Sequence, residues 1–401
     1  MTSAREITVR PATGADRTAI DVLQETSFGM RMSEAEKRCR AALFPADRSL
    51  VALDGDRVVG HTVDITMTVT VPGGRAVPAS GVSGVVVAPT HRRRGILRRL
   101  FAAQHARTEA DGLPLTIFTA TEGTIYGRFG YDTAIVATSV AVDRRRAEFR
   151  AGVPDPGGVE IREPAEAQPH IRAVYERWRK RVPGAQARPS SQWELSFADL
   201  ERRRGGASAL FALVHPDGYA LYRRRYDEHR AAAPVWECRA LTPDAHAALW
   251  RVLLGLDLVD VVEAEIADDD PLPYLLTDPR AVRVTGRKDS LWARVMAVPA
   301  ALTARTYAAD LDTVIEVTDP FGPAGGTFAL RIRDGVASCA PTARPARLRT
   351  GVDTLAALYF GAHRARDLAA GHRIAVEDPR ALRDLDAAFA VDRAPERGWF
   401  F

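Results

Sequence analysis

Lysine is nearly absent from this chain. Of its 55 basic residues only Lys37, Lys180 and Lys288 are lysines. With so much alanine alongside, the arginine skew reads as the mark of a GC-rich genome rather than as a ligand device. The formal net charge is only +4 and scattered, which gives no footing for nucleic-acid binding. Cysteine is also scarce: Cys39, Cys238 and Cys339 lie far apart, in no pair and no metal-ligand spacing, as expected of a reducing, cytoplasmic protein without a bound metal. No apolar run reaches the roughly 18 residues needed to cross a bilayer, so no membrane partner is expected. The opening "MTSAREITVR" has no apolar stretch of the kind a secretory leader carries.

What is present is ordinary globular composition over 401 residues, too long for one core, so two or three domains are expected. The first block opens with a strand, a turn and a helix in "REITVRPATGADRTAIDVLQETSF", with Asp16 near the helix start. "SLVALDGDRVVGHTVDITMTVTVPGG" alternates as strands do, and "VSGVVVAP" is a buried strand. After it, Ile96, Leu97, Leu100, Phe101 and Gln104 recur at helical spacing up to a stop at Gly112. "LPLTIFTAT" predicts a strand, "EGTIYGRF" a short helix closed by Gly130, and "AIVATSVAVD" another strand. A charged, then Pro- and Gly-rich stretch, "RRRAEFRAGVPDPGGVE", marks a boundary. The second block holds a helix in "AQPHIRAVYERWRKRV" and a hairpin around Pro216-Asp217-Gly218. The third contains the strands "DTVIEVTDP" and "GTFALRIRDG" and the helix "GVDTLAALYFGA". The chain's last residues, "RGWFF", are aromatic where termini are usually polar. Their burial would take the α-carboxylate of Phe401 inside, where it needs a partner or a task.

"VVVAPTHRRRGIL" carries the most chemistry. A buried strand through Val85, Val86 and Val87 runs into Pro89 and then a basic turn at a helix start. The first backbone N–H groups of a helix lack intrahelical partners and sit at the positive end of its dipole. Gly95 clears a side chain from the backbone there, and Arg92, Arg93 and Arg94 add charge, as a pyrophosphate cradle requires. It is not a P-loop, since the spacing and the Lys-Ser/Thr pair are missing. The plain alternative is a solvated basic patch before an amphipathic helix.

These residues resemble the GCN5-related N-acetyltransferase superfamily, whose acetyl-CoA motif Arg/Gln-x-x-Gly-x-Gly/Ala is met by Arg92 and Gly95, with Leu97 in the last place. "GVVVAPTHRRRGILRRLF" with "TEGTIYGRFGYD" is similar, more closely, to the enhanced intracellular survival (Eis) family of acetyltransferases. The resemblance implies a mixed α+β fold. Its parts would be a catalytic acetyltransferase domain over residues 1–145, a degenerate acetyltransferase-like domain over 155–290 and a sterol-carrier-like domain over 291–401. It implies acetyl-CoA as acetyl donor, held by the backbone of Val85, Val86 and Val87, by the turn Arg93, Arg94, Gly95, Ile96, Leu97 and Arg98, and by Thr121 and Glu122. It also implies a homo-oligomer, a homohexamer by family.

Tyr126, in "IYGRFGY", stands where the superfamily places the acid that protonates the leaving thiolate. A phenol near pKa 10 can donate to a thiolate whose unperturbed pKa is about 8.5. No His or Glu of the first block has an obvious claim as base, His61 and His91 included. The family resemblance implies that the Phe401 carboxylate reaches back into the first block, with Trp399 and Phe400 as anchors. Aminoglycoside-acetylating members look acidic after the Ser-Phe of the first helix and beside the last residue. Here those places read Ser27-Phe28-Gly29-Met30 and Phe400, which removes two partners for a polycation. The expected activity is direct acetyl transfer to a primary amine, of a small molecule such as an aminoglycoside or of a lysine. The alternative is a non-catalytic CoA- or lipid-binding protein.

Overall fold

The structure, a computed structural model, describes residues 6–227 and 230–401; the leader reading of residues 1–5 lies outside them. The chain opens with β1 (Ile7–Pro11), α1 (Arg17–Phe28) and α2 (Glu34–Leu43). Asp16 tightens the turn into α1 by accepting hydrogen bonds from the Thr13 backbone N–H (2.7 Å) and from Arg10. Ser33 and Glu36 close α2 with reciprocal cap bonds. An antiparallel run follows, β2 (Ser49–Asp54), β3 (Arg57–Thr70) and β4 (Ala76–Val87), then α3 (Ile96–Ala110), β5 (Leu115–Phe118) and β6 (Asp132–Asp143). The segment expected as a short helix before β6 is only a 3-10 turn over 127–129, closed at Gly130.

The next stretch comprises β7 (Glu160–Arg162), α4 (Pro164–Arg179), α5 (Ser190–Phe197), β8 (Phe211–His215), β9 (Gly218–Tyr222), β10 (Arg225–Tyr226) and β11 (Ala231–Ala240). It ends with α6 (Pro243–Leu254), β12 (Val261–Ile266), α7 (Leu272–Leu275) and β13 (Val282–Val295). β8 and β9 form the hairpin expected around Pro216-Asp217-Gly218. The last stretch has α8 (Val298–Ala304), β14 (Leu311–Thr318), β15 (Gly326–Arg333), β16 (Val336–Pro341) and β17 (Leu348–Gly351). α9 (Val352–Tyr359), α10 (Ala365–Ala370), β18 (Ile374–Val376) and α11 (Pro379–Ala388) complete it.

The first two stretches share one sheet, in the order β1-β2-β3-β4-β5-β13-β6-β12-β11-β9-β8-β7. β13 sits between β5 and β6, and β6 pairs on its other side with β12. The two halves have therefore exchanged strands, and their cores meet through a continuous ladder. The last stretch builds its own five-stranded sheet, β16-β15-β14-β17-β18, and α9 packs on β13 and β6. Buried Phe101 on α3, Phe118 on β5, Trp292 on β13 and Leu358 on α9 belong to one continuous core, so the third block is fused to the first through apolar packing.

Candidate active site

The basic turn is built as an anion cradle. Gly95 caps α3 with φ +73°, and Arg93 also takes a left-handed φ of +64°. This pair of left-handed residues makes a concave nest beside the unpaired N–H groups of the first helical turn. A Cβ on Gly95 would meet nothing within 4 Å, so the space over the turn is open. The need for glycine there is conformational. Ile96 is buried under α3 against Gly60 and fixes the helix on the sheet, while Leu97 is half-buried. Arg92, Arg93 and Arg98 are exposed and have no ion-pair partner among the described residues. Arg94 is different: it donates to Asp54 (3.2 Å), which also takes His91 Nε2 (3.1 Å). Hydrogen bonds from Arg94 and His91 hold the Asp54 carboxyl below the usual carboxylate range. His91 is thus a buried brace for the turn, and the unpaired arginines fit a pyrophosphate.

Beside the cradle the sheet splits. β4 and β5 pair only at Ser80–Thr116 and Gly81–Ile117, then part. A bulge in β4 drives the parting, because Gly84 and Val85 together oppose the single residue Thr62 of β3. Gly84 has φ +60°, and its carbonyl lies 2.8 Å from Nδ1 of buried His61. A Cβ there would come within 2.8 Å of Gln24 Nε2. Burial drives the His61 pKa down to about 4, so it is a neutral hydrogen-bonding prop. Val85, Val86 and Val87 lie beyond the split, where β4 has no β5 partner, and an extended ligand can take the missing strand's place.

Tyr126 packs against the last residue of β5. Its ring packs on Phe118 (4.5 Å between centroids), Phe101 (6.0 Å) and Trp292 (6.1 Å). The residue is only 7% exposed, yet its hydroxyl bonds to no described residue. Burial, with the charge of Glu122 added, pushes its pKa up to about 12, so the phenol stays protonated at any working pH. Thr121 and Glu122 follow β5 on exposed backbone at the same edge.

The C-terminal segment crosses the second block to reach the split. Gln186 Oε1 accepts from the N–H groups of Gly398 (3.0 Å) and Trp399 (3.3 Å). Arg188 donates to the Gly398 carbonyl (2.8 Å) while its guanidinium lies over Tyr175 and Trp193 at just over 4 Å. Trp399 donates through its indole to the Ala187 carbonyl (3.1 Å). An oxygen of the Phe401 α-carboxylate then accepts from Thr119 Oγ1 at 2.8 Å, one residue beyond Phe118. The Phe401 ring packs on Trp399 (5.2 Å) and lies 3.3 Å from where a Cβ on Gly81 would stand. The anchors are not Trp399 and Phe400, the pair the aromatic terminus suggests. The anchors are Trp399 and Phe401, both buried, while Phe400 points out, 60% exposed. An extended segment sends alternate side chains to opposite sides, so residues 399 and 401 must share a face.

Phe400 instead lines a cavity of about 380 Å³ between the C-terminal segment, α5 and strands β6, β11 and β12. Its apolar wall includes Ile135, Leu195, Trp236 and Ile266. The acids along it are already engaged. Glu237 pairs with Arg188, Glu396 with Arg239, Asp199 with Arg223 and Glu265 with Lys288. Cys238 also lines it, but burial raises its thiol to about 12 and leaves it a poor nucleophile. Met30 does not line this cavity and lies 62% exposed on the surface. Reasoning from sequence missed Thr119, Gln186 and Arg188, none of which stands in a motif.

Three stretches of the chain match described families: residues 8–134 and 184–295 each match an acetyltransferase (GNAT) domain, and residues 298–397 a sterol carrier protein domain. The N-acetyltransferase Eis of Mycobacterium tuberculosis is 44% identical over 397 residues, covering 96% of this chain and 97% of that protein. The crystal structure of Eis1 from Mycobacterium abscessus superposes with a TM-score of 0.87 at 30% identity, over 99% of this chain and all of the other. A GCN5-related N-acetyltransferase from Anabaena variabilis shares the fold, with a TM-score of 0.85 at 19% identity, over 99% of this chain and 100% of that one.

Proposed function

Since the chain belongs to the Eis family of N-acetyltransferases, we propose that it transfers the acetyl group of acetyl-CoA directly to a primary amine, with Tyr126 as acid and the Phe401 α-carboxylate as base. The observation that carries this reading is the meeting of the Phe401 carboxyl group with Thr119, next to the residue on which Tyr126 packs. The cradle takes the pyrophosphate, and residues 85–87 take the extended arm of the donor, which leaves its thioester in the split between β4 and β5. The amine nitrogen attacks the thioester carbonyl, and the C–S bond breaks as the amide C–N bond completes. The surplus proton on nitrogen passes to the Phe401 carboxylate, through water because a carboxylate near pKa 3.5 is a weak base. The departing sulfur takes the Tyr126 proton, which regenerates from solvent. Products are the N-acetyl amine and CoA thiol.

The cavity beside Phe400 is the place for the body of the acceptor. With its carboxylates paired to arginines and lysine, it favours an amine with an apolar body, or a lysine side chain, over a polycation such as an aminoglycoside. The test is a panel of amines assayed with acetyl-CoA by release of free CoA thiol. Turnover with apolar primary amines and weak turnover with aminoglycosides is expected; no thiol release with any amine refutes the enzyme assignment of these residues.

A further inference from the structure

The turn that carries Tyr126 is held from the third domain. Arg294, fully buried on β13, donates Nη1 to the Phe129 carbonyl (2.9 Å) and both Nη1 and Nη2 to Asp319, at 3.2 and 2.5 Å. Asp319 is fixed in turn by the backbone N–H groups of Phe321, Gly322 and Ala324, at 3.0 to 3.2 Å. Burial alone would raise the Asp319 carboxyl, but the hydrogen bonds and charge of Arg294 outweigh it and keep the group ionised. The pair is therefore a rigid strut from β14's end to the turn at 126–130. Gly130 closes that turn with no room to spare, since a Cβ on it would lie 1.8 Å from Arg294 Nη1.

The loop held by Asp319 also touches the turn directly. Phe321 meets Phe129 edge-on (4.9 Å, 75°) and His105 of α3 likewise (5.2 Å, 83°). The Arg98 guanidinium lies 5.2 Å over the same ring. Phe129, in turn, is hydrogen-bonded through its N–H to the Tyr126 carbonyl (3.0 Å). The Tyr126 hydroxyl has no hydrogen bond among the described residues, and its position is set by the packing of its ring and by this turn.

We propose that the third-domain loop 319–322, clamped by the Arg294–Asp319 pair, is a positioning element for the acid Tyr126, with Phe321 as the residue that presses the turn into place. The proposal rests on the assignment of Tyr126 as acid. It gives the third domain a part in catalysis separate from the delivery of Phe401. An acid displaced by about an ångström loses much of its effect, so removing the Phe321 ring should cost about tenfold or more in rate.

Phe321 is half-buried, and Phe321→Ala leaves the ion pair intact, so the variant should fold. The experiment is a double-mutant cycle with Phe321→Ala and Tyr126→Phe, read as kcat at saturating acetyl-CoA, with KM for the amine and Tm alongside. Expected are a kcat loss of about tenfold in Phe321→Ala with amine KM unchanged, and no further loss when Phe321→Ala is added to Tyr126→Phe. An unchanged kcat in Phe321→Ala, or the same fold loss in both backgrounds, overturns the proposal while leaving Tyr126 as acid. Full kcat in Tyr126→Phe alone overturns the acid assignment, and this proposal with it.

Discussion

Adding a single glycine after Phe401 separates the chemistry of the C-terminus from its packing. The extension turns the Phe401 carboxylate into a neutral amide and moves the charge up to about 3.5 Å away, one residue of chain. The contacts that hold the segment survive: Gln186 and Arg188 grip Gly398 and Trp399 upstream, and the Phe401 carbonyl can still accept from Thr119. Both buried rings, Trp399 and Phe401, stay in place. Stability should therefore change little. Loss of a general base costs about 100- to 10,000-fold, which is roughly 3 to 5 kcal/mol of barrier at about 1.4 kcal/mol per tenfold. Deleting Phe401 is the poorer experiment, because removal of a buried phenylalanine alone costs about 3 to 5 kcal/mol of stability and the two effects would merge. The assay is steady-state release of CoA thiol, with Tm measured on the same samples. The extended enzyme should lose at least about 100-fold in kcat with Tm nearly unchanged. Normal kcat in a protein shown by mass to carry the extra glycine would refute a catalytic carboxylate and leave the segment a packing element.

Gly95→Trp should abolish CoA binding measured by calorimetry, because φ +73° strains any other residue and the indole would fill the open space over the nest; unchanged CoA affinity would dismiss the cradle. The pH profile tests Tyr126: its pKa is raised to about 12, so the phenol keeps its proton where an unfolded tyrosine, near 10, would lose it. Its contribution to stability is accordingly full below about pH 10 and lost as pH rises through about 12. Between pH 7 and 10 kcat should show no falling limb from loss of this acid, and a limb near 10 that vanishes in Tyr126→Phe would contradict the burial argument.

The parts of the site that could be read in the sequence are those made by neighbours along the chain. Buried strand, Pro89, basic turn and helix lie within a dozen or so residues, and each leaves a local mark in residue type and spacing. The same holds for the hairpin at Pro216-Asp217-Gly218. The aromatic C-terminus announced its burial, but the period-2 alternation that puts Trp399 and Phe401 together and turns Phe400 outward was open to reading and decides which residue faces the cavity. What stayed hidden depends on partners far along the chain. Nothing local says that β13 enters between β5 and β6, since any apolar strand of that length satisfies the same pattern. Thr119 is one threonine of two in "TAT", and it matters only because residue 401 arrives there. Arg294 is one of many arginines, and the choice of Asp319 as its partner is made by tertiary packing.

The strand exchange decides how the active site can be divided. β5, which carries Phe118 and leads to Thr119, pairs on one side with β4 only over two residues before the two strands part. Its other neighbour is β13, through four paired residues from Leu115 to Phe118, and β13 ends the 184–295 stretch that matches the second acetyltransferase (GNAT) domain. Without β13 the strand at the centre of the site would have almost no ladder, and β6 would lose the partner that joins it to β5. A polar edge opened in the middle of a buried sheet is costly, since its N–H and C=O groups have no other partners. The first block therefore carries the proposed cradle and Tyr126 but not the whole frame around them. That frame is supplied by β13, by the grip of Gln186 and Arg188 on the C-terminal segment, and by the strut from Asp319 to Arg294. If Tyr126 and the Phe401 carboxylate act as proposed, catalysis draws on all three blocks, because β13 pairs with β5, Phe401 meets Thr119 just after β5, and Asp319 holds Arg294 of β13.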